Sequence, residues 1–128
     1  MKAKQVVFTV EKTETGFSSY SEDYPIFTTG STIPELRSNA LEAAELYFEE
    51  EGVSVKSTDI ILELDIPQFF DYFKVINAKH LAGRVGIHPT LLSQYVNGKK
   101  KPSGKQAEKL LEGIHAVGKE LMDVSLIA

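Results

Sequence analysis

Between Asn77 and Ser103 the chain reads NAKHLAGRVGIHPTLLSQYVNGKKKPS, and this stretch leaves few choices of local structure. Two short helices joined by a tight turn satisfy it. Ala82 sits midway along the first helix, where only a small side chain lets a crossing helix come close. Gly86 supplies the positive φ that a sharp turn requires. His88 falls at an N-cap and Pro89 at the first helical position, with φ already set, while Ile87 and Leu92 are spaced as a hydrophobic staple across that cap. A second helix therefore begins at Pro89 and stops at Gly98, a C′ glycine. Leu92 and Val96 are expected inward; Thr90, Ser93, Gln94 and Asn97 are expected outward. That outward face is polar and nearly uncharged, as suits the reading of base edges.

Charge sharpens this reading. From Asn77 to Lys105 there are six basic residues, Lys79, Arg84, Lys99, Lys100, Lys101 and Lys105, and no carboxylate. Met1 to Ile76 carries six basic against fourteen acidic residues. A sequence pI near 5.4 thus conceals a basic island on an otherwise acidic chain. Clustered Lys and Arg beside a polar helix form the electrostatic footprint of a duplex-DNA binder. Lys79, Arg84, Lys99, Lys100 and Lys101 are the candidate phosphate contacts, and Thr90, Ser93, Gln94 and Asn97 the candidate base readers.

The segment LAGRVGIHPTLLSQYVNGKKKPS resembles the helix-turn-helix of the Cro/C1 (Xre) repressor class, including its NG-basic-PS tail. One departure is Ala78, where that class often carries Gln. The resemblance implies a lambda-repressor-like all-α domain that binds operator DNA as a two-fold dimer.

The 128 residues fit one domain or two small ones, and 42% hydrophobic content is ordinary for globular material. With no Cys, disulfides, thiolate metal sites and Cys nucleophiles are excluded. No apolar run approaches the length of a membrane span, and no hydrophobic signal segment follows the MKAKQ start, so a soluble cytoplasmic protein is expected.

Toward the N-terminus, QVVFTVEK (residues 5–12) is rich in β-branched and aromatic side chains and leads into the turn-forming TETG. Residues 17–21 and 26–29 supply two more strands, making a three-stranded meander. Thr32 then opens a helix, with Glu35 as its capping-box partner and Pro34 in the first turn. Leu36, Ala40, Ala43 and Tyr47 mark its expected buried stripe. Glu35, Ser38, Glu42, Glu45 and Glu49 fall on the other face, and Glu42, Glu45 and Glu49 are the candidate contacts for a basic partner. DIILELD (59–65) is a fourth strand, completing βββαβ.

This half resembles the HicB antitoxin family, on VVFTVEKTETGFSSY, the passage from Pro25 to TTGST, and IPELRSNALEAAELYFEE. The resemblance implies a partial RNase H-like domain over residues 1–65 that covers a small basic RNA-cleaving toxin of HicA type. Residues 66–128 are then the DNA-binding and dimerisation domain of an α+β protein. A stand-alone repressor whose N-terminal domain serves dimerisation or ligand sensing is the alternative.

In the second half, Asp65 and Gln68 form a capping pair before a helix carrying Phe69, Phe70, Phe73 and Ile76 on one face. Ser103 and Gln106 open a last helix whose stripe, Leu110, Leu111, Ile114, Val117 and Leu121, is wider than a small bundle buries. Part of it, with the terminal VSLI, is expected against a second subunit in a dimer or dimer of dimers; VSLI also has the composition of an added strand. An RNase H-type hydrolase would need three or four converging carboxylates on paired metals. Glu11, Glu63 and Asp65 are the candidates on strands, with Glu63 and Asp65 expected on one strand face, and nothing in the sequence brings Glu11 to them. His80 and His88 belong to the basic island and His115 stands alone on its helix, so no zinc spacing arises. No catalytic residue, metal or cofactor is expected.

Overall fold

The computed structural model describes residues 5–128. The chain is α+β and divides into two compact units between Gln68 and Phe69. No described helix is long and apolar enough to cross a membrane.

Unit 1 holds strands β1 (Val6–Lys12), β2 (Phe17–Ser21), β3 (Phe27–Gly30) and β4 (Ile60–Glu63), with helix α1 (Ile33–Glu49) between β3 and β4. The sheet order is β3-β2-β1-β4. The meander is antiparallel, whereas β4 pairs parallel to β1, Val6 opposite Ile60 and Thr9 opposite Glu63. A parallel partner requires a crossover, and α1 provides it. Alternation along β1 sends Val6, Phe8 and Val10 into the core and leaves Glu11 exposed.

Thr32 caps α1, accepting the Glu35 N–H at 3.2 Å. The Glu35 carboxylate takes the N–H of Ser31, at 3.1 Å, so the reciprocal half of the expected box lands one residue early. The buried stripe is Leu36, Ala40, Ala44 and Phe48. Ala43 is only partly buried and Tyr47 is 37% exposed. A strict four-residue ladder drifts across the helix surface and favours 44 and 48 over 43 and 47. Tyr47 instead stacks edge-on against Phe48, centroids 4.9 Å apart, and Tyr24 closes the aromatic trio. Completely buried side chains such as Phe8 and Leu36 anchor this core, each contributing about 1.5 to 3 kcal/mol by leaving water.

The fourth strand is shorter than its composition predicts. Asp59 lies in a 3-10 turn, where its carboxylate accepts the Lys56 N–H at 2.9 Å. Asp65 lies outside the strand as a cap, accepting the Gln68 N–H at 2.9 Å, and so does not share a strand face with Glu63. Gln68 in turn takes the Lys12 N–H and donates to the Val10 carbonyl on β1. Those two bonds tie Gln68, on helix α2 (Ile66–Tyr72), to strand β1 within unit 1.

Unit 2 contains α3 (Ala78–Val85), α4 (Pro89–Val96) and α5 (Gly104–Met122). Its core is built from Phe70, Leu81, Ala82, Ile87, Leu92, Tyr95 and Leu110. Ala82 is completely buried, as a close helix crossing demands. Of the predicted α5 stripe only Leu110 is buried; Leu111 and Leu121 are 49% and 71% exposed. The terminal VSLI forms no strand and is exposed.

Candidate nucleic-acid interface

Local rules set each end of the two-helix element. Asn77 caps α3 by accepting the His80 N–H at 3.0 Å. Gly86, at φ 73°, ends that helix in the left-handed region. Ile87 and Leu92, 4% and 1% exposed, form the staple across the start of α4. His88 caps α4, its Nδ1 accepting the Thr90 N–H at 3.2 Å, which leaves the ring proton on Nε2. At the other end Gly98 takes φ 75°, its N–H bonding to Tyr95 O at 3.1 Å, and Lys99 N–H bonds to Gln94 O at 2.9 Å. Those two bonds are a complete Schellman motif, and they hold the following lysines in a defined loop.

The inward face of α4 is Leu92 and Tyr95, with Val96 only half-buried. Tyr95 in place of Val96 follows from the three-residue step from Leu92, which lies as close to one face as the four-residue step does. Thr90, Ser93 and Asn97 are exposed and Gln94 is half-buried. Asn97 donates its amide to Ser93 Oγ at 3.4 Å, so these two side chains brace each other at the end of the helix. Thr90 and Gln94 carry no such tie to one another, and Gln94 has the amide that pairs with adenine.

Lys79, Lys99, Lys100 and Lys101 are exposed. Arg84 is also exposed, but its guanidinium donates to the Glu120 carboxylate on α5. That hydrogen bond, then the opposite charge, raises the Arg84 pKa and holds the Glu120 carboxyl below the usual carboxylate range. Arg84 therefore reaches a phosphate only by exchanging one anion for another. Lys109, from the same α5, donates to the Gly86 carbonyl at 3.3 Å and closes the turn from behind. The sequence reading missed Asn77, Lys109 and Glu120. Asn77 was visible as a cap residue ahead of a helix; the other two act across separations of 23 and 36 residues and leave no local signal.

In unit 1, Glu42, Glu45 and Glu49 come together on one open groove with Leu46, Val53 and Val55. Glu11 and Glu63 occupy the sheet face away from α1, since Glu63 pairs with Thr9 and Glu11 lies two residues farther along β1. Among the described residues no group of three or more His, Asp or Glu is gathered as for a metal ion.

Residues 76–115 match the family model described as helix-turn-helix, a span that takes in α3, α4 and the first part of α5. The comparison with curated proteins gave no match. Geometry, charge and family model agree: residues 76–115 are a helix-turn-helix of Cro/C1 type, the DNA-binding element of a transcription regulator.

Proposed function

We propose that the protein is a HicB-type antitoxin. Unit 2, as a homodimer or dimer of dimers, binds its own operator and represses its operon. Unit 1 neutralises a small, basic, RNA-cleaving toxin of HicA type by covering its active site. The protein itself is not an enzyme and uses no cofactor, and it works in the cytoplasm.

The observation that carries the toxin-binding half is the groove on α1, where Glu42, Glu45 and Glu49 surround exposed Leu46. Carboxylates around an apolar centre suit a partner whose lysines and arginines otherwise meet RNA phosphates: opposite charge speeds encounter and the apolar centre holds the complex. The βββαβ order, with its helix crossing between β3 and β4, supports the partial RNase H-like reading of unit 1.

Co-expression with a short open reading frame encoding a basic protein, where one adjoins the gene, tests this. A stable complex in which RNA cleavage is suppressed is the expected result. An adjacent product that neither co-purifies nor loses activity would leave the alternative, a stand-alone repressor whose unit 1 dimerises. One observation favours that alternative: Phe27 and Tyr20 stand 66% and 43% exposed on neighbouring strands of the sheet face away from α1.

A further inference from the structure

The first turn of α4 is held by a titratable ring. Pro89 has no N–H to satisfy, and the Leu92 N–H bonds to the His88 carbonyl at 3.0 Å. The Thr90 N–H is held by a side chain, His88 Nδ1, at 3.2 Å. Only the neutral ring can accept that bond, because an imidazolium carries a proton on both nitrogens. Protonation would set donor against donor and put a positive charge at the positive end of the helix dipole. A helix of eight residues has little stability of its own to absorb the loss of its cap. His88 is exposed, so its ring exchanges protons with solvent and its replacement leaves the core intact.

We infer that His88 is a positioning residue for base reading, and that its protonation makes the sequence preference of the protein depend on pH. The inference rests on the helix-turn-helix reading of unit 2 and asks nothing of unit 1. Thr90, whose N–H the ring holds, is itself a candidate base reader, and Gln94 follows it four residues later on the same face. Fraying of the first turn displaces Thr90 directly and loosens the helix that carries Gln94. The candidate phosphate contacts depend on other bonds. Lys99, Lys100 and Lys101 follow the Schellman motif at the opposite end of α4, and Lys79 stands on α3. Base preference therefore falls on acidification while attraction to the DNA backbone does not. The charges around the cap do not reverse this. Helix α4 itself is uncharged; α3, packed against it, carries Lys79, His80 and Arg84, the last bonded to Glu120; and α5 sends Lys109 to the Gly86 carbonyl.

The probes are the duplex that the full-length wild-type protein enriches from a random-sequence library and a scrambled duplex of the same composition. From about pH 8 to about pH 5.5, a range over which imidazole side chains gain charge, the ratio of the two affinities should fall about fivefold for wild type, the size expected of a lost helix cap. Taking the ratio removes the charge that His80 and His115 contribute, since phosphate attraction is blind to sequence. His88→Asn, which caps without titrating, should hold the ratio at the high-pH value throughout. His88→Ala should give the low ratio at every pH. Without DNA, the Thr90 amide resonance should move with pH in wild type and stay fixed in His88→Asn. A wild-type ratio that does not change with pH, or an equal fall in His88→Asn, would overturn the inference while leaving α4 as the reading helix. A library that enriches no sequence overturns both.

Discussion

Gly113 on α5 lies against Val85 on α3 with no room for a side chain: a Cβ there would come within 1.9 Å of Val85 Cγ1. This contact sets how closely the supporting helix approaches the first helix of the DNA-binding pair. Alanine at 113 would gain about 0.5 to 1 kcal/mol in helix propensity, yet overpacking a tight contact costs about 1 to 3 kcal/mol. The clash wins. Gly113→Ala should lower the stability of unit 2 in urea unfolding, and adding Val85→Ala should recover part of the loss. Equal stability of Gly113→Ala and wild type would show the two helices to be farther apart.

The ion pair between Arg84 and Glu120 makes a prediction about pH. The folded state holds the Glu120 carboxyl below its ordinary value, through the hydrogen bond and then the charge of Arg84. Its contribution to stability is therefore present above the unfolded carboxylate pKa, near 4.3, and is lost as pH falls through the lowered folded value. Both side chains are more than half exposed, so the effect is small and is screened by salt. Wild type should lose slightly more stability than Glu120→Gln between pH 5 and pH 3, at low salt only. Parallel pH profiles for the two proteins would remove the pair from the account.

The acidic groove makes a kinetic prediction. Replacing Glu42, Glu45 and Glu49 with Gln keeps size and hydrogen-bonding capacity but removes three charges. Association with a basic toxin should slow, chiefly at low ionic strength, since a field of this kind is screened over about 10 Å at 0.1 M salt. Stopped-flow binding at several salt concentrations reads this directly. An association rate unchanged at low salt would reduce the three residues to a solvated helix face.

Features decided by near neighbours were legible in the sequence. The caps Thr32, Asp65, His88 and Ser103 each accept the backbone bond their spacing predicts. The left-handed Gly86 and Gly98 fall where the turn and the helix stop require them. Illegible features were decided at a distance. Nothing near Ile60 says that it will pair parallel with Val6, since that choice depends on where α1 lays the chain down. The fate of Asp65 turned on a competition between extending a strand and capping α2, and the cap prevailed. Among the site residues, the candidate base readers and lysines are all on α3, α4 or the loop after α4, with Gln94 half-buried and the others exposed. Arg84 is engaged elsewhere, by an acid 36 residues away that no local pattern connects to it.

The central claim is that α4 reads bases while the loop after Gly98 holds phosphates, and a salt-resolved titration tests it most directly. Gln94→Ala and Lys100→Ala are each titrated on operator and on scrambled duplex at several salt concentrations. Gln94→Ala should cost about 1 to 3 kcal/mol on the operator and little on scrambled DNA, with the salt dependence unchanged. Lys100→Ala should weaken both duplexes alike and flatten the salt slope by about one unit. An equal loss on both duplexes for Gln94→Ala would contradict the account, because Pro89–Val96 would then contribute affinity without sequence.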